Sequence, residues 1–270
     1  MPSDRDYVLG AHQAELERLG LQHAVWRPRA LDAWRRAGFT RGKRILDIGA
    51  GPGYATFDLA DVVGAAGKVI AIERAPNFLA AIRAAKEARG LAHVEIHDVD
   101  LAQAPSLPKA DGAWCRWVFA FLREPEALLA RIGAALEPGA PLVIHEYADY
   151  ATWRCFPGHA VLDRFAEAVK TSWRATGSEP DIAPALAQAM PRHGFRVKSL
   201  TPIIDVCRPG DFASNWPLSF IEINTVRMAE LGAITAAEAE AMRRAAADWT
   251  KAPDALMILP LVLEIIAEKI

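Results

Sequence analysis

Short apolar runs and amphipathic helical patterns alternate along the chain between residues 44 and 147. The apolar runs have the length of β-strands, and the segments between them have the residue spacing of helices. Strands that alternate with helices form a parallel sheet with helices on both faces. We therefore predict an α/β fold with strands at 44–49, 68–73, 93–99, 112–116 and 141–147 and helices at 54–64, 76–88 and 124–136.

Beyond residue 147 the alternation becomes less regular. Pro260 disfavours both a strand and a helix over residues 255–268, so that segment stays open between the two. The other patterns are helical at 7–38, 158–175, 181–193 and 211–250 and extended at 196–205. The helical pieces at 1–38, 151–180 and 211–250 are not needed to build the sheet. We expect them to form a lid over its carboxyl edge, where open α/β folds bind ligands.

The bulk properties exclude several function classes. A net charge of −2 and a pI of about 6.4 disfavour a general nucleic-acid binder. The start has no signal-peptide pattern, and the longest apolar run, "ALMILPLVLEII", is too short to span a bilayer. Cys115, Cys155 and Cys207 have no metal-ligand spacing. These features predict a cytoplasmic protein without a metal site and without a membrane or nucleic-acid partner.

A glycine-rich turn links the first predicted strand to the first helix after it. Gly49, Gly51 and Gly53 lie in "LDIGAGPGY". Glycine allows a ligand to approach the backbone closely, and the helix amino terminus offers free N–H groups. Glu73 ends the second strand twenty residues after Gly53, where a carboxylate can accept both hydroxyls of a ribose. We therefore predict a ligand that contains a ribose.

Two ligands of this kind fit the turn: a nicotinamide dinucleotide and S-adenosylmethionine. Dinucleotide loops favour G-x-G-x-x-G, whereas this loop is G-x-G-x-G, and Pro52 removes a possible N–H donor. Asp47 stands where it would repel a pyrophosphate but would suit an ammonium group. The loop therefore favours S-adenosylmethionine.

Residues 40–147 resemble the class I S-adenosylmethionine-dependent methyltransferases, in particular their UbiE-like small-molecule branch. The resemblance rests on "LDIGAGPG", on "IER" at 72–74, on "VEIHDVDLAQAP", on "DGAWCRWVFAFLREPEALLARI" and on "EPGAPLVIHEY". The segment "YVLGAHQAELERLGLQHAVWRPRAL" is similar to the amino-terminal cap helix of bacterial members. The resemblance implies a Rossmann-like sheet with a helical lid.

The resemblance also implies which residues contact the cofactor. Asp100 stands where the family places an acid against the adenine amino group, and Asp98 is its nearest rival. The full set of expected contacts is Asp47, Gly49, Ala50, Gly51, Gly53, Glu73, Arg74, Asp100, Leu101, Cys115 and Gln22. The implied domains are cap helices at 1–38, a cofactor-binding core at 39–150, and at 151–270 the rest of the sheet with lid insertions.

The sequence departs from the family in one motif. Where this branch often has "LHHLPDP", residues 119–125 read "FAFLREP", so two histidines are missing and no base is expected there. The "[DN]PP[YF]" motif of amino- and amide-directed enzymes is also absent. We take His145 or Glu146, at the end of the fifth strand, as the candidate base, if one is used. Arg116, at the end of the fourth strand, could bind an acidic substrate or the carboxylate of the cofactor.

The sequence thus predicts an S-adenosylmethionine-dependent methyltransferase that acts on a small, partly apolar or aromatic acceptor at oxygen, nitrogen or carbon. Arg116 is the best-placed cation for an anionic group on that acceptor. The alternatives are an NAD(P)-dependent oxidoreductase and a protein that binds S-adenosylmethionine without transfer. Methylation of RNA or protein is disfavoured by the charge balance. A homodimer is possible.

Overall fold

The computed structural model describes residues 13–270. The first residues of the predicted cap, including the predicted helix start at residue 7, lie outside this range. The helices are α1 (Gln13–Ala37), α2 (Tyr54–Val63), α3 (Pro76–Arg89), α4 (Pro125–Ala135), α5 (Ala160–Ala175), α6 (Ala183–Ala189), α7 (Asn215–Glu230) and α8 (Ala236–Trp249). The strands are β1 (Arg44–Ile48), β2 (Lys68–Glu73), β3 (Val94–Asp98), β4 (Gly112–Arg116), β5 (Pro141–Asp149), β6 (Arg154–Phe156), β7 (Phe195–Ile203), β8 (Val206–Cys207), β9 (Leu256–Ile258) and β10 (Leu261–Lys269).

The main sheet has seven strands in the order β3-β2-β1-β4-β5-β10-β7. Strands β1 to β5 are parallel, and β10 runs antiparallel to both β5 and β7. The predicted mostly parallel sheet is confirmed. Its central strands are nearly continuous apolar runs because both of their faces are covered by other elements.

The segment at 255–268, which the sequence left open, forms two strands. β9 and β10 are separated at Leu259 and Pro260, and only β10 joins the main sheet. β9 instead pairs with β6 and β8 in a small antiparallel sheet that the sequence did not predict. Pro260 therefore marks the point where the chain leaves one sheet for the other.

The order of the strands fixes where a ligand can bind. From β1 the chain moves outward through β2 and β3 and then returns to the other side of β1 to form β4. The loops after β1 and β4 consequently diverge and leave a crevice at the carboxyl edge, as in other open α/β sheets. Helices α1, α5 and α7 pack together beside this crevice with α8.

Candidate functional site

A cavity of about 510 Å³ opens at the carboxyl ends of β1 and β4. This volume is typical of small-molecule sites. Its walls come from the loops after β1, β2, β3 and β4 and from the side of α1, α5 and α7. The lining residues used below are Arg18, Gln22, His23, Asp47, Gly49, Ala50, Gly51, Glu73, Arg74, Asp100, Leu101, Arg116, Trp117, Phe121, Tyr147, Trp173 and Phe220.

The glycines of the turn after β1 have different structural roles. Gly49, Gly51 and Gly53 have φ of 67°, 56° and 90°, in the left-handed region that favours glycine. A Cβ at Gly49 would lie 2.3 Å from Cγ2 of Val118, so packing within the protein requires glycine there. A Cβ at Gly51 would meet nothing within 4 Å, and Gly51 lines the cavity. Gly51 therefore leaves space that is open to a ligand.

Asp47 is a buried acid at the end of β1. Its side chain is almost fully enclosed and accepts a hydrogen bond from Oγ1 of Thr56 at 2.6 Å. Burial raises the pKa of Asp47 to about 6, and the positive charge of Arg116 opposes that rise. A cationic group in the cavity would therefore favour the ionised carboxylate.

The carboxylate of Glu73 is already tied to the backbone around it. Oε2 accepts the N–H of Gly51 at 2.8 Å, and Oε1 accepts the N–H groups of Arg74 and Ala75, each at 2.8 Å. Glu73 therefore joins the turn after β1 to the loop after β2. The sequence predicted a ribose acceptor here but not this second role.

Asp100 lies in the loop after β3. It accepts hydrogen bonds from the Arg74 guanidinium at 3.1 Å, from the Gln103 amide at 3.1 Å and from the N–H of Ala102 at 2.9 Å. Its rival Asp98 is exposed and is absent from the cavity wall. The geometry thus keeps Asp100 rather than Asp98 as the candidate adenine contact.

Arg116 is a cation at the end of β4. Its Nη2 donates to Nδ1 of His23 at 3.0 Å, and its Nη1 is buried without a hydrogen-bond partner within residues 13–270. The guanidinium lies over the rings of Trp114 and Trp117, with 5.7 Å and 5.2 Å to the ring centroids. Burial lowers the pKa of Arg116 to about 10, so it remains charged at neutral pH.

Aromatic side chains form another part of the cavity wall. Trp117 stacks on Tyr147 and on Trp216, with centroid distances of 5.4 and 5.5 Å. Trp173 from α5 and Phe220 from α7 extend this wall. Trp117 has φ of 53° and is the one non-glycine residue in the described chain with positive φ. Such strain concentrates at functional sites, and the sequence carries no signal of it.

The two candidate bases on β5 do not reach the cavity. His145 is fully buried, and its Nε2 pairs with Oε2 of Glu264 at 3.1 Å. Glu146 is also fully buried, and its Oε1 accepts the N–H groups of Val118 and Phe119, each at 2.7 Å. Neither lines the cavity, and a role of either in proton transfer stays a prediction of the sequence.

The extent of β5 accounts for this placement. The sequence ended the strand at residue 147, but it continues to Asp149. His145 pairs in register with Arg116, the last residue of β4, and therefore still lies inside the sheet. Tyr147, two residues further along the same face, lines the cavity instead.

Most of the other expected cofactor contacts lie at the cavity. Ala50, Arg74 and Leu101 line it, as does Gln22, whose Oε1 accepts from Nη1 of Arg18 at 2.8 Å and from Nε1 of Trp216 at 3.2 Å. Gly53 begins α2 outside the lining.

Cys115 does not lie where the expectation placed it. Its side chain is fully buried on the face of β4 opposite Arg116. Its side chain does not line the cavity, and its contact with the cofactor stays a prediction of the sequence.

Arg18 and His23 were missed by sequence reasoning. Both lie on α1 and reach the cavity only because α1 packs across the sheet edge. Their spacing gave no signal, because residues five positions apart point about 140° away from each other around a helix. Within residues 13–270, no group of acidic, histidine or cysteine side chains could hold a metal ion. None of the described helices could cross a membrane.

Comparison with known proteins agrees with this geometry. Residues 45–139 match the family model of a methyltransferase domain. Within the match lie the glycine turn, Glu73, Asp100 and Arg116. Residues 45–139 are thus similar to a methyltransferase domain, on a sheet with the Rossmann-like class I fold.

Relatives and solved structures show the same domain in other proteins. The chain is 30% identical over 173 residues to the O-methyltransferase cnsE of Penicillium expansum, over 63% of this chain and 58% of that one. It is 32% identical over 129 residues to demethylmenaquinone methyltransferase of Lactococcus lactis, over 46% of this chain and 49% of that one. The chain thus spans about half the length of the curated relatives it matches.

The solved structure of the cyclase SpnF has the same fold as the methyltransferase domain and the helices around it. The TM-score is 0.57 at 18% identity, over 90% of this chain and 80% of that one. Because a cyclase shares the fold, the fold alone does not determine the reaction.

Proposed function

We propose that this protein transfers the methyl group of S-adenosylmethionine to a small, partly aromatic molecule. The observation that carries the proposal is the continuity of one cavity. It joins the glycine turn and its acidic residues to a wall of Trp117, Tyr147, Trp173 and Phe220. A cofactor at the turn and an acceptor against the aromatic wall would therefore share one enclosed space.

The residues at the turn fit the cofactor. Gly51 leaves open space, Asp47 is a buried acid suited to an ammonium group, and Arg116 has a buried donor without a partner. Glu73 and Asp100 would hold the ribose and the adenine. When bound, S-adenosylmethionine supplies an activated methyl group on a positively charged sulfur.

The chain's own residues orient the reactants and exclude water. Aromatic rings enclose the acceptor and fix its plane, which brings it into line with the methyl donor. Burial raises the pKa of Tyr147, so its hydroxyl stays protonated and serves as a hydrogen-bonding group rather than a base. With His145 and Glu146 outside the cavity, we infer that the acceptor reacts without a carboxylate or histidine base from β5.

The size of the cavity and the net charge of −2 support a small-molecule acceptor rather than a nucleic acid. Methylation at oxygen, nitrogen or carbon, a homodimer and a cytoplasmic location stay predictions of the sequence. We also propose that α1, α5 and α7 form a lid over the cavity and that this lid is a region separate from the cofactor-binding core.

The test is transfer of a tritiated methyl group from S-adenosylmethionine to three fractions: small-molecule extract, total protein and total RNA. We expect label in the small-molecule fraction, and less of it with Glu73→Ala than with the matched control Asp98→Ala. Label confined to protein or RNA would refute the small-molecule acceptor. Calorimetric binding of NADH without binding of S-adenosylhomocysteine would support the oxidoreductase instead.

A further inference from the structure

The unusual feature of the cavity is a buried cation without an anion. Arg116 forms no ion pair within residues 13–270, and its Nη1 lacks any hydrogen-bond partner there. A buried donor without an acceptor is costly in free energy, so a folded protein usually supplies it with a partner such as water, an ion or a ligand. The other side of the guanidinium, Nη2, is held by His23 at 3.0 Å.

The ring of His23 is fixed in one tautomer by its two neighbours. An arginine can only donate, so Nδ1 of His23 accepts the bond from Arg116. Nε2 therefore carries the hydrogen and donates to Oδ2 of Asp58 at 2.9 Å. Asp58 also accepts from Nε of Arg27 at 2.7 Å. Burial lowers the pKa of His23, which keeps the ring neutral and its Nδ1 free to accept.

This chain of contacts separates Arg116 from the nearest acid on α2. The carboxylate of Asp58 is occupied by His23 and Arg27, and the neutral imidazole lies between it and Arg116. A direct pair with Asp58 would satisfy the guanidinium within the protein. With His23 between them, one edge of the guanidinium is held and the other keeps a free donor.

The other charge at this place is negative. Asp47 ends β1, the neighbour of β4, and the charge of Arg116 acts on its pKa. The carboxyl group of Asp47 and the guanidinium of Arg116 therefore face one cavity, at the point where the strand order reverses. An amino-acid zwitterion, with one ammonium and one carboxylate, is the ligand that such a pair complements.

We propose that His23 is a positioning residue that holds Arg116 so that its free Nη1 binds the carboxylate of the cofactor's amino-acid group, while Asp47 binds the ammonium. The identity of the zwitterion rests on the proposed function. The hydrogen bonds of His23 also connect α1 to the sheet. They form one continuous set of contacts that joins His23 and Arg27 on α1, Asp58 on α2 and Arg116 on β4. The position of α1 would thereby depend on whether the cofactor is bound to Arg116.

The experiment compares two probes by calorimetry. S-adenosylhomocysteine carries the amino-acid group, and methylthioadenosine lacks it. We expect Arg116→Met to weaken S-adenosylhomocysteine roughly 10- to 100-fold and to leave methylthioadenosine unchanged. His23→Leu should weaken S-adenosylhomocysteine by about 10-fold, since the guanidinium is still present but unheld. His23→Asn, which keeps an acceptor near the position of Nδ1, should recover most of that loss.

The control is His97→Leu, which removes a histidine of β3 that contacts Glu95 rather than the cavity. Unchanged methylthioadenosine affinity shows that a variant is folded. The positioning role is overturned if His23→Leu binds S-adenosylhomocysteine like the wild type, or if His23→Asn is as weak as His23→Leu. The carboxylate assignment is overturned if Arg116→Met loses both probes equally or neither. A wild-type protein that binds neither probe would refute the proposed function itself.

Discussion

Replacement of Glu73 tests whether this carboxylate holds the ribose, and the structure allows the size of the effect to be worked out. A carboxylate offers about four acceptor sites. Two on Oε1 are used by the N–H groups of Arg74 and Ala75, and one on Oε2 by Gly51, so one site remains free. A ribose with two hydroxyls gains one new bond outright and must displace Gly51 for the second.

The net gain is therefore close to one hydrogen bond to a charged acceptor, about 1.5–3 kcal/mol. We expect Glu73→Ala to weaken S-adenosylhomocysteine by roughly 10- to 150-fold in a calorimetric titration. Glu73→Gln keeps one acceptor oxygen for the loop after β2, so it should lose similar affinity but retain more thermal stability than Glu73→Ala.

Asp98→Ala is the matched control, because it removes an exposed carboxylate at the same sheet edge, directly paired in register with Glu73. It should bind like the wild type. An affinity of Glu73→Ala within twofold of the wild type would contradict the reasoning, and the carboxylate would then serve only to join the two loops.

Three further changes test the site and its supports. Gly51→Ala should abolish binding of S-adenosylhomocysteine and should cost about 1 kcal/mol of stability because Gly51 has a positive φ. Gly49→Ala should unfold at a markedly lower denaturant concentration, because its Cβ would collide with Val118. Equal losses of stability in the two variants would contradict this reasoning. Because the pKa of Asp47 is about 6, affinity for S-adenosylhomocysteine should fall up to about tenfold per pH unit as the pH drops below 6, and Asp47→Asn should bind weakly with a flatter profile. Burial raises the pKa of Glu146 to about 8 from 4.5, so the native state retains a proton that the unfolded chain releases, and stability should decrease as the pH rises from about 4.5 to about 8, by an amount on the order of a few kcal/mol. Chemical denaturation of Glu146→Gln across this range should show a smaller slope; an equal slope would assign the titration to another group.

The site residues that the sequence identified are those within one turn and the strand ends beside it. Asp47, Gly51 and Glu73 are close along the chain or are placed by the parallel register of β1 and β2. Their relative position follows from strand, turn and helix alone. The sequence could not place His145 and Glu146 relative to the cavity, because alternation gives the face of a strand but not the level at which the strand ends.

The sequence by itself determined the five parallel strands of the main sheet and the glycine turn, because the apolar periods of strands and helices and the freedom of glycine are local properties. It could not determine the contact of His23 with Arg116, which joins residues 93 positions apart, or the contact with Asp58 at 35 positions. Nor could it decide that Pro260 separates strands of two different sheets. These features arise only when α1 packs over the sheet edge and β10 inserts between β5 and β7. Burial then selects which polar groups have partners and leaves Nη1 of Arg116 without one in the described chain.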